Sequence, residues 1–544
     1  MSHVPRLLIG PLLRHVGRTD ATIWVETDGP CEVSVLGARE RTWCVAGHHY
    51  ALVVVDGLSP GSITPYEVHL DGERAWPPLR TDRPPSVIRT QGRAAALRIA
   101  FGSCRYGRAA ATLSDDHFER DALAAFSRRL VREDPDDFPD ALLMLGDQVY
   151  ADETSEATRR RIRARRDIDT GAGDQVADFE EYTWLYLESW TDPDVRWLLS
   201  TVPSSMIFDD HDVRDDWNTS HSWRSDMQST TWWQQRIEGG LSSYWVYQHI
   251  GNLSPDELAA DELFQLVRAY EGDAEPLLRR FAAAADREAD GAKGARWSFR
   301  RDLESVRLLI VDSRCGRILA DGARSMVSEA EFDWIVAQTE GTYDHLLLGT
   351  SLPWLLPRAL HDLEAWNEAL ASGARGPRRA RWSEWLRRAS DMEHWAAFVR
   401  SFEALADLLR AVASRPDAPA SICVLSGDVH HAYAAEAHWD SPVHSRVFQL
   451  TCSPLHNFVP PPMKIAFRVA WSSLARRFTR TLLRLFGPVP TPSVTWKRSC
   501  GPFFGNEIAT LLIDGRKATM VLERSTPGDQ QPELVEAARL RLAG

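Results

Sequence analysis

Six short apolar runs, each ending in a polar cluster, constrain this chain more than any other feature: LRIAFGSCR, ALLMLGDQVY, SMIFDDHDV, VRLLIVDSRCG, HLLLGTSLPW and SICVLSGDVHH. Runs of this length and composition suit strands buried on both faces. The long stretches between them, such as 121–131 and 394–414, have helical patterning. Strands alternating with helices give an α/β architecture with covered sheets. In such sheets a ligand site lies outside the carboxyl ends of the strands, and every polar cluster here sits at that end of its run. The clusters should therefore converge, although Cys104 and His430 are far apart in the chain.

Before Leu97 the pattern is different. Ala21–Thr27, Cys31–Leu36, Tyr50–Val55 and Tyr66–Leu70 are short β-branched runs separated by turn signals, the mark of a small all-β sandwich. Trp76–Gly92 is rich in Pro and Arg and reads as a linker. With 544 residues the chain exceeds one ordinary core. Two units follow: a fibronectin-III-like sandwich with linker over 1–92, and an α/β domain over 93–544.

The clusters hold Cys104; Asp147 and Tyr150; Asp209, Asp210 and His211; and Asp428, His430 and His431. Acidic and phenolic oxygens, a thiol and imidazoles brought to one edge would repel and be costly to desolvate without a cation. Two nearby cations relieve that cost, polarise a phosphoryl oxygen and acidify a bound water. Thiolate, phenolate and imidazole together suit an ion such as iron, while an all-oxygen position suits Ca²⁺, Mg²⁺ or Mn²⁺. Each piece alone has a plain explanation: GDQVY as a turn, FDDHD as a helix cap, Cys104 as an inert buried thiol. Their conjunction is the signal. Asp312, Ser313 and Arg314 end another run and are candidates for either the pocket lining or a structural role.

These motifs, FGSCR (Phe101–Arg105), LGDQVY (Leu145–Tyr150), FDDHDV (Phe208–Val213), SGDVHHAY (Ser426–Tyr433) and QLTCSP (Gln449–Pro454), resemble those of the alkaline phosphatase D (PhoD-like) metallophosphatases. That family belongs to the wider calcineurin-like metallophosphoesterases. The resemblance implies two β-sheets flanked by helices, preceded by a β-sandwich. It implies that Cys104 and Tyr150 ligate a ferric ion, that Asp147 bridges two metals, and that His430 completes the iron site. Asp210 and Asp428 would hold the second metal, Ca²⁺ in first place and Mg²⁺ or Mn²⁺ as alternatives. His211 would protonate the departing alkoxide. The implied reaction is hydrolysis of a phosphate mono- or diester by a metal-bound hydroxide. Where family members carry Asn after the Asp-Asp-His, this chain has Asp215, a competitor to Asp210 as ligand. Arg105, beside Cys104, is a candidate phosphate contact.

The net charge of −13 argues against nucleic acid as the main partner. Seven scattered cysteines form no CxxC pair, and the amino terminus shows no cleavable signal, so the expectation is a cytoplasmic enzyme without disulfides. The tryptophans at 217, 223, 232, 233 and 245 read as core or lid packing, and the arginine runs 158–166 and 376–382 as solvated helix faces. The segment 460–490 is a basic amphipathic insertion bracketed by prolines. It is expected to pack its apolar side on the phosphatase domain; the competing reading is contact with an anionic membrane. The rival class for the whole chain is a non-catalytic binding protein with a degenerate phosphatase domain.

Overall fold

The computed structural model describes residues 4–92, 96–107, 120–291, 294–320, 322–526 and 533–544. All six apolar runs form strands, and they divide between two sheets. The first has the order Ser204–Ile207, Ala141–Leu145, Leu97–Gly102, Glu507–Asp514, Lys517–Ser525, Leu534–Ala543. Its first three strands are parallel, and the C-terminal three add an antiparallel flank. The second sheet has the order Phe299–Leu303, Val306–Ile310, His345–Gly349, Ser421–Ser426, Arg446–Thr451, Ala432–His438, Thr495–Phe503, with the four strands from 306–310 to 446–451 parallel.

Alternation along the second sheet explains why its runs are apolar throughout. Leu308, Ile310, Leu347, Cys423 and Leu425 share one core with Ile99, Phe101, Leu142 and Met144 of the first sheet. Their neighbours Leu309, Leu346, Leu348, Ile422 and Val424 face the other way, against Phe402, Leu405 and Leu409 of the helix Val399–Ala413. Period-2 side-chain alternation thus fills a core on each face. The architecture is an α/β sandwich of two sheets with helices outside.

The N-terminal all-β region has two four-stranded sheets around a core of Leu13, Ile23, Val33, Val53 and Val68. Trp24 and Tyr50 of this region belong instead to the large shared core, where the Tyr247 ring lies 5.2 Å from Trp24 and 5.5 Å from Tyr50. Arg14 is wholly buried and donates to the carbonyls of Ser204, Tyr247 and Gln248 at 3.2, 3.0 and 2.7 Å. The stretch read as a linker is tied down: Val87–Arg89 pairs with Ile63–Pro65, and Arg89 donates to the carbonyls of Phe138 and Pro139.

His48 carries a further clamp between these parts. Its Nδ1 lies 3.0 Å from Glu26 Oε1 and its Nε2 2.8 Å from Glu180 Oε2 on the helix Phe179–Trp190. Burial alone lowers the imidazole pKa, but hydrogen bonds to Glu180 and Glu26 outweigh it and raise the value to about 9. Glu26 is itself raised by burial. A raised histidine stabilises the fold fully below its unfolded value near 6.5 and loses that contribution as pH climbs through 9. His48→Gln should therefore cost roughly 1–3 kcal/mol at pH ~6 and far less above pH ~9.5, read by denaturant unfolding at both pH values.

Candidate metal centre

The polar clusters meet at the carboxyl ends of the two parallel sheet segments, held by loops that lock one another through backbone hydrogen bonds. The amides of Cys104 and Arg105 donate to the carbonyls of Gly146 and Asp147, joining the first two motifs. The Asp428 amide donates to Ser103 Oγ at 3.1 Å, joining the last motif to the first. Cys104, Asp147, Asp428 and His430 all have left-handed backbone, with φ of 55°, 46°, 64° and 47°. Each such conformation costs on the order of 1 kcal/mol for a residue with a Cβ, and it persists only where surrounding structure enforces it.

Asp147, Asp209 and Asp210 bring carboxylate oxygens within 4.8 Å of one another, and so do Asp210, Glu393 and Asp428. A third such triplet is Asp210, His211 and Asp215. Asp210 is in all three and is 3% exposed, whereas the Asp215 side chain is 62% exposed. Among the described residues, Asp147 Oδ1, Asp209 Oδ2 and Asp210 Oδ1 are buried without a hydrogen-bond partner. Burial, reinforced by neighbouring carboxylates, raises the pKa of all three. Orphaned, desolvated carboxylate oxygens are the donor set of a hard cation, so these residues fit a metal.

The softer donors sit beside them. Tyr150 Oη is 3.5 Å from Asp147 Oδ2, and Cys104 Sγ is 3.7 Å from the Asp428 carbonyl. The Asn457 side-chain nitrogen lies 3.0 Å from Tyr150 Oη and 3.3 Å from His430 Nε2, so one amide bridges both. Burial raises the Cys104 thiol and the Tyr150 phenol and lowers His430 to about 4. Neutral imidazole is the ligand form; thiol and phenol need a cation to ionise here. Among the described residues, neither Cys104 nor His430 completes a triplet within 4.8 Å.

His211 Nδ1 is fixed by Asp152 at 2.9 Å, and its ring lies against Tyr150 with centroids 4.8 Å apart. Asp152, Asp215 and Asp216 also line a cavity of about 770 Å³, walled further by Trp223, Arg214 and Arg388, which opens beside His211. Arg105 is 2% exposed; its guanidinium donates to Asp121 and to Ser189 rather than into the cavity.

Four further residues complete this centre. Arg314, fully buried, pairs with Asp209 and Glu393 and lies 3.1 Å from Asp210 and 3.7 Å from Asp428. His394 is 3.1 Å from Asp428 Oδ2 and 2.8 Å from Glu364. Asp428 is lowered to about 2: burial opposes this, but the hydrogen bond to His394 prevails. Arg314 follows an apolar run and was readable as a pocket residue; Glu393 and His394 lie in a loop with no motif around them, and Asn457 lies three residues beyond QLTCSP, from which no site residue was read.

Residues 111–270 match the family model described as PhoD-like phosphatase. The solved structure of PhoD aligns over 100% of this chain and 91% of its own, with a TM-score of 0.59 at 11% identity. The chain thus carries a PhoD-like phosphatase region over residues 111–270, within a PhoD-like fold. As such it is a hydrolase. Residues 4–88 match a family described as a domain of unknown function. Purple acid phosphatase PPD1 from yellow lupin (Lupinus luteus) seeds aligns over 98% of the chain and 74% of its own, with a TM-score of 0.44 at 11% identity. No curated protein matches the chain.

The glycine before Asp428 is required on steric grounds, because a Cβ on Gly427 would lie 1.8 Å from Ser103 Oγ. Gly427→Ala should break the Ser103–Asp428 link, cost ~2–3 kcal/mol in denaturant unfolding and remove most hydrolytic activity.

Proposed function

We propose that this chain hydrolyses phosphate mono- or diesters at a two-metal centre held by Cys104, Asp147, Tyr150, Asp210, Asp428 and His430. The observation that carries this reading is the triplet Asp147, Asp209 and Asp210, in which Asp147 Oδ1 and Asp209 Oδ2 are buried without a partner. The left-handed backbone of four proposed ligands supports it. Cys104, Tyr150 and His430 suit iron, and Asp210 with Asp428 suits a hard divalent ion, Ca²⁺ first and Mg²⁺ or Mn²⁺ next. The burial of Asp210 favours it over Asp215 as the ligand. When bound, the cations polarise the phosphoryl oxygens and acidify a water.

The side chains divide the remaining work. Asp147, 3.5 Å from Tyr150 and grouped with Asp209 and Asp210, would help hold both cations. Asp152 holds His211 Nδ1, which leaves Nε2 to deliver a proton to the departing alkoxide. Asn457 orients Tyr150 and His430 by contacting both. Arg314 keeps four carboxylates in register. We assign Arg105 a structural part, since Asp121 and Ser189 take up its guanidinium.

Asp147→Asn should lose stoichiometric metal by elemental analysis and reduce turnover of a nitrophenyl phosphate ester by several orders of magnitude; a fully active variant would overturn the assignment. Asp152→Asn should retain metal and KM but lower kcat about 10–100-fold, because it misorients His211 without removing it.

A further inference from the structure

The basic segment near the carboxyl end folds into two helices, Pro461–Ala470 and Ser473–Phe486. The arrangement reverses the expectation that its apolar side packs inward. On the second helix, Leu474, Phe478 and Leu485 are 72%, 72% and 75% exposed, and Leu482 is exposed with them. Their spacing of i, i+4, i+8 and i+11 makes one stripe about 80° wide. The opposite side faces the body: Leu483, 6% exposed, packs with Trp366 and Leu370, while Arg476 and Arg480 pair with Asp362. Two arginines and a leucine thus anchor the helix, and four large apolar side chains are turned to solvent. Ile465 and Val469 of the first helix are exposed as well.

The charge carried by the two helices is of one sign. The two helices contain Lys464, Arg468, Arg476, Arg477, Arg480 and Arg484 and no acidic residue, in a chain of net charge −13. Arg477 and Arg484 flank the stripe and are exposed. Arg379, in the arginine-rich start of the helix Pro377–Ala389, donates to the Phe486 carbonyl at 3.3 Å, which extends the basic surface past the helix end. Trp382 and Trp385 of that helix are also exposed. A second copy of the chain would set this cationic face against itself in a two-fold contact, which like charges oppose. A surface that is apolar within and anionic above has the complementary chemistry: the headgroups and outer acyl region of an acidic lipid bilayer.

We propose that this helix pair is a peripheral docking surface for an anionic membrane. The stripe enters the interfacial region and the flanking cations meet the headgroups. No helix among the described residues is long and apolar enough to cross a membrane, so the contact is with one leaflet. The first helix is fastened to the metal-centre motif: Phe467 stacks on His431 at 4.4 Å, and Trp471 meets Tyr433 edge-on at 4.9 Å. Docking therefore sets the loop that carries Asp428 and His430 beside the lipid surface.

Cosedimentation with large vesicles tests this, using phosphatidylcholine alone or mixed with phosphatidylglycerol. The chain should sediment with the mixed vesicles and not with the neutral ones, and high salt should release it. Phe478→Ser with Leu485→Ser should lower the partition coefficient at least about tenfold. Arg477→Gln with Arg484→Gln should lower it about fivefold per charge. Circular dichroism of both variants should match the parent, since the altered side chains are exposed. Absence of binding, equal binding to neutral vesicles, or binding unchanged in both variants would overturn the proposal. So would a dimer in sedimentation equilibrium that the Phe478–Leu485 variant dissolves, which would make the stripe an interface between copies.

Discussion

The concentration of negative charge where the two sheets end sets the terms for everything built around it. Asp147, Asp209 and Asp210 converge in a space from which water is largely excluded, with Asp428 half-buried beside them. Carboxylates so placed repel one another and lose hydration, and the raised pKa values of the first three record that cost. Protonation or positive charge must settle such an arrangement. Arg314, His394 and the proposed cations are answers to that single demand, and the interlocked loops are the means of holding the answer in place.

Much of this was legible in the sequence because both fold and site write themselves at strand ends. A strand buried on two faces leaves an unbroken apolar run, and the first polar residues after it must lie at the sheet's edge. That rule set Cys104, Asp147, Asp210 and Asp428 at one edge without any contact information, and the fold brings them together there. It had no hold on Glu393, His394 or Asn457, which reach the centre from connecting segments where no periodicity marks the approach. Arg105 is the opposite case. Proximity in sequence to Cys104 suggested a substrate contact, but adjacent residues leave a turn in different directions, and this one turns to Asp121. The basic segment was visible as amphipathic, yet sequence alone could not tell which face of the helix met the body; Asp362 and Trp366 decide that.

The N-terminal region belongs to the same physical unit. Its own core is small, while Trp24 and Tyr50 enter the main one and Arg14 satisfies backbone carbonyls at the strand Ser204–Ile207 and the helical segment Trp245–His249. That strand leads directly into Asp209 and Asp210. Support for the acidic loop thus begins at residue 14, far from any group that touches it.

Arg314 has one more implication. A guanidinium keeps its charge at any pH a protein survives, and here it is wedged among Asp209, Asp210, Glu393 and Asp428. In small zinc domains the ion is part of the folding reaction, and the chain has no structure without it. A chain that carries its own fixed counter-charge escapes that dependence. Part of the balancing charge is thus built into the chain itself, so the acidic loops have a partner before any of the proposed cations binds.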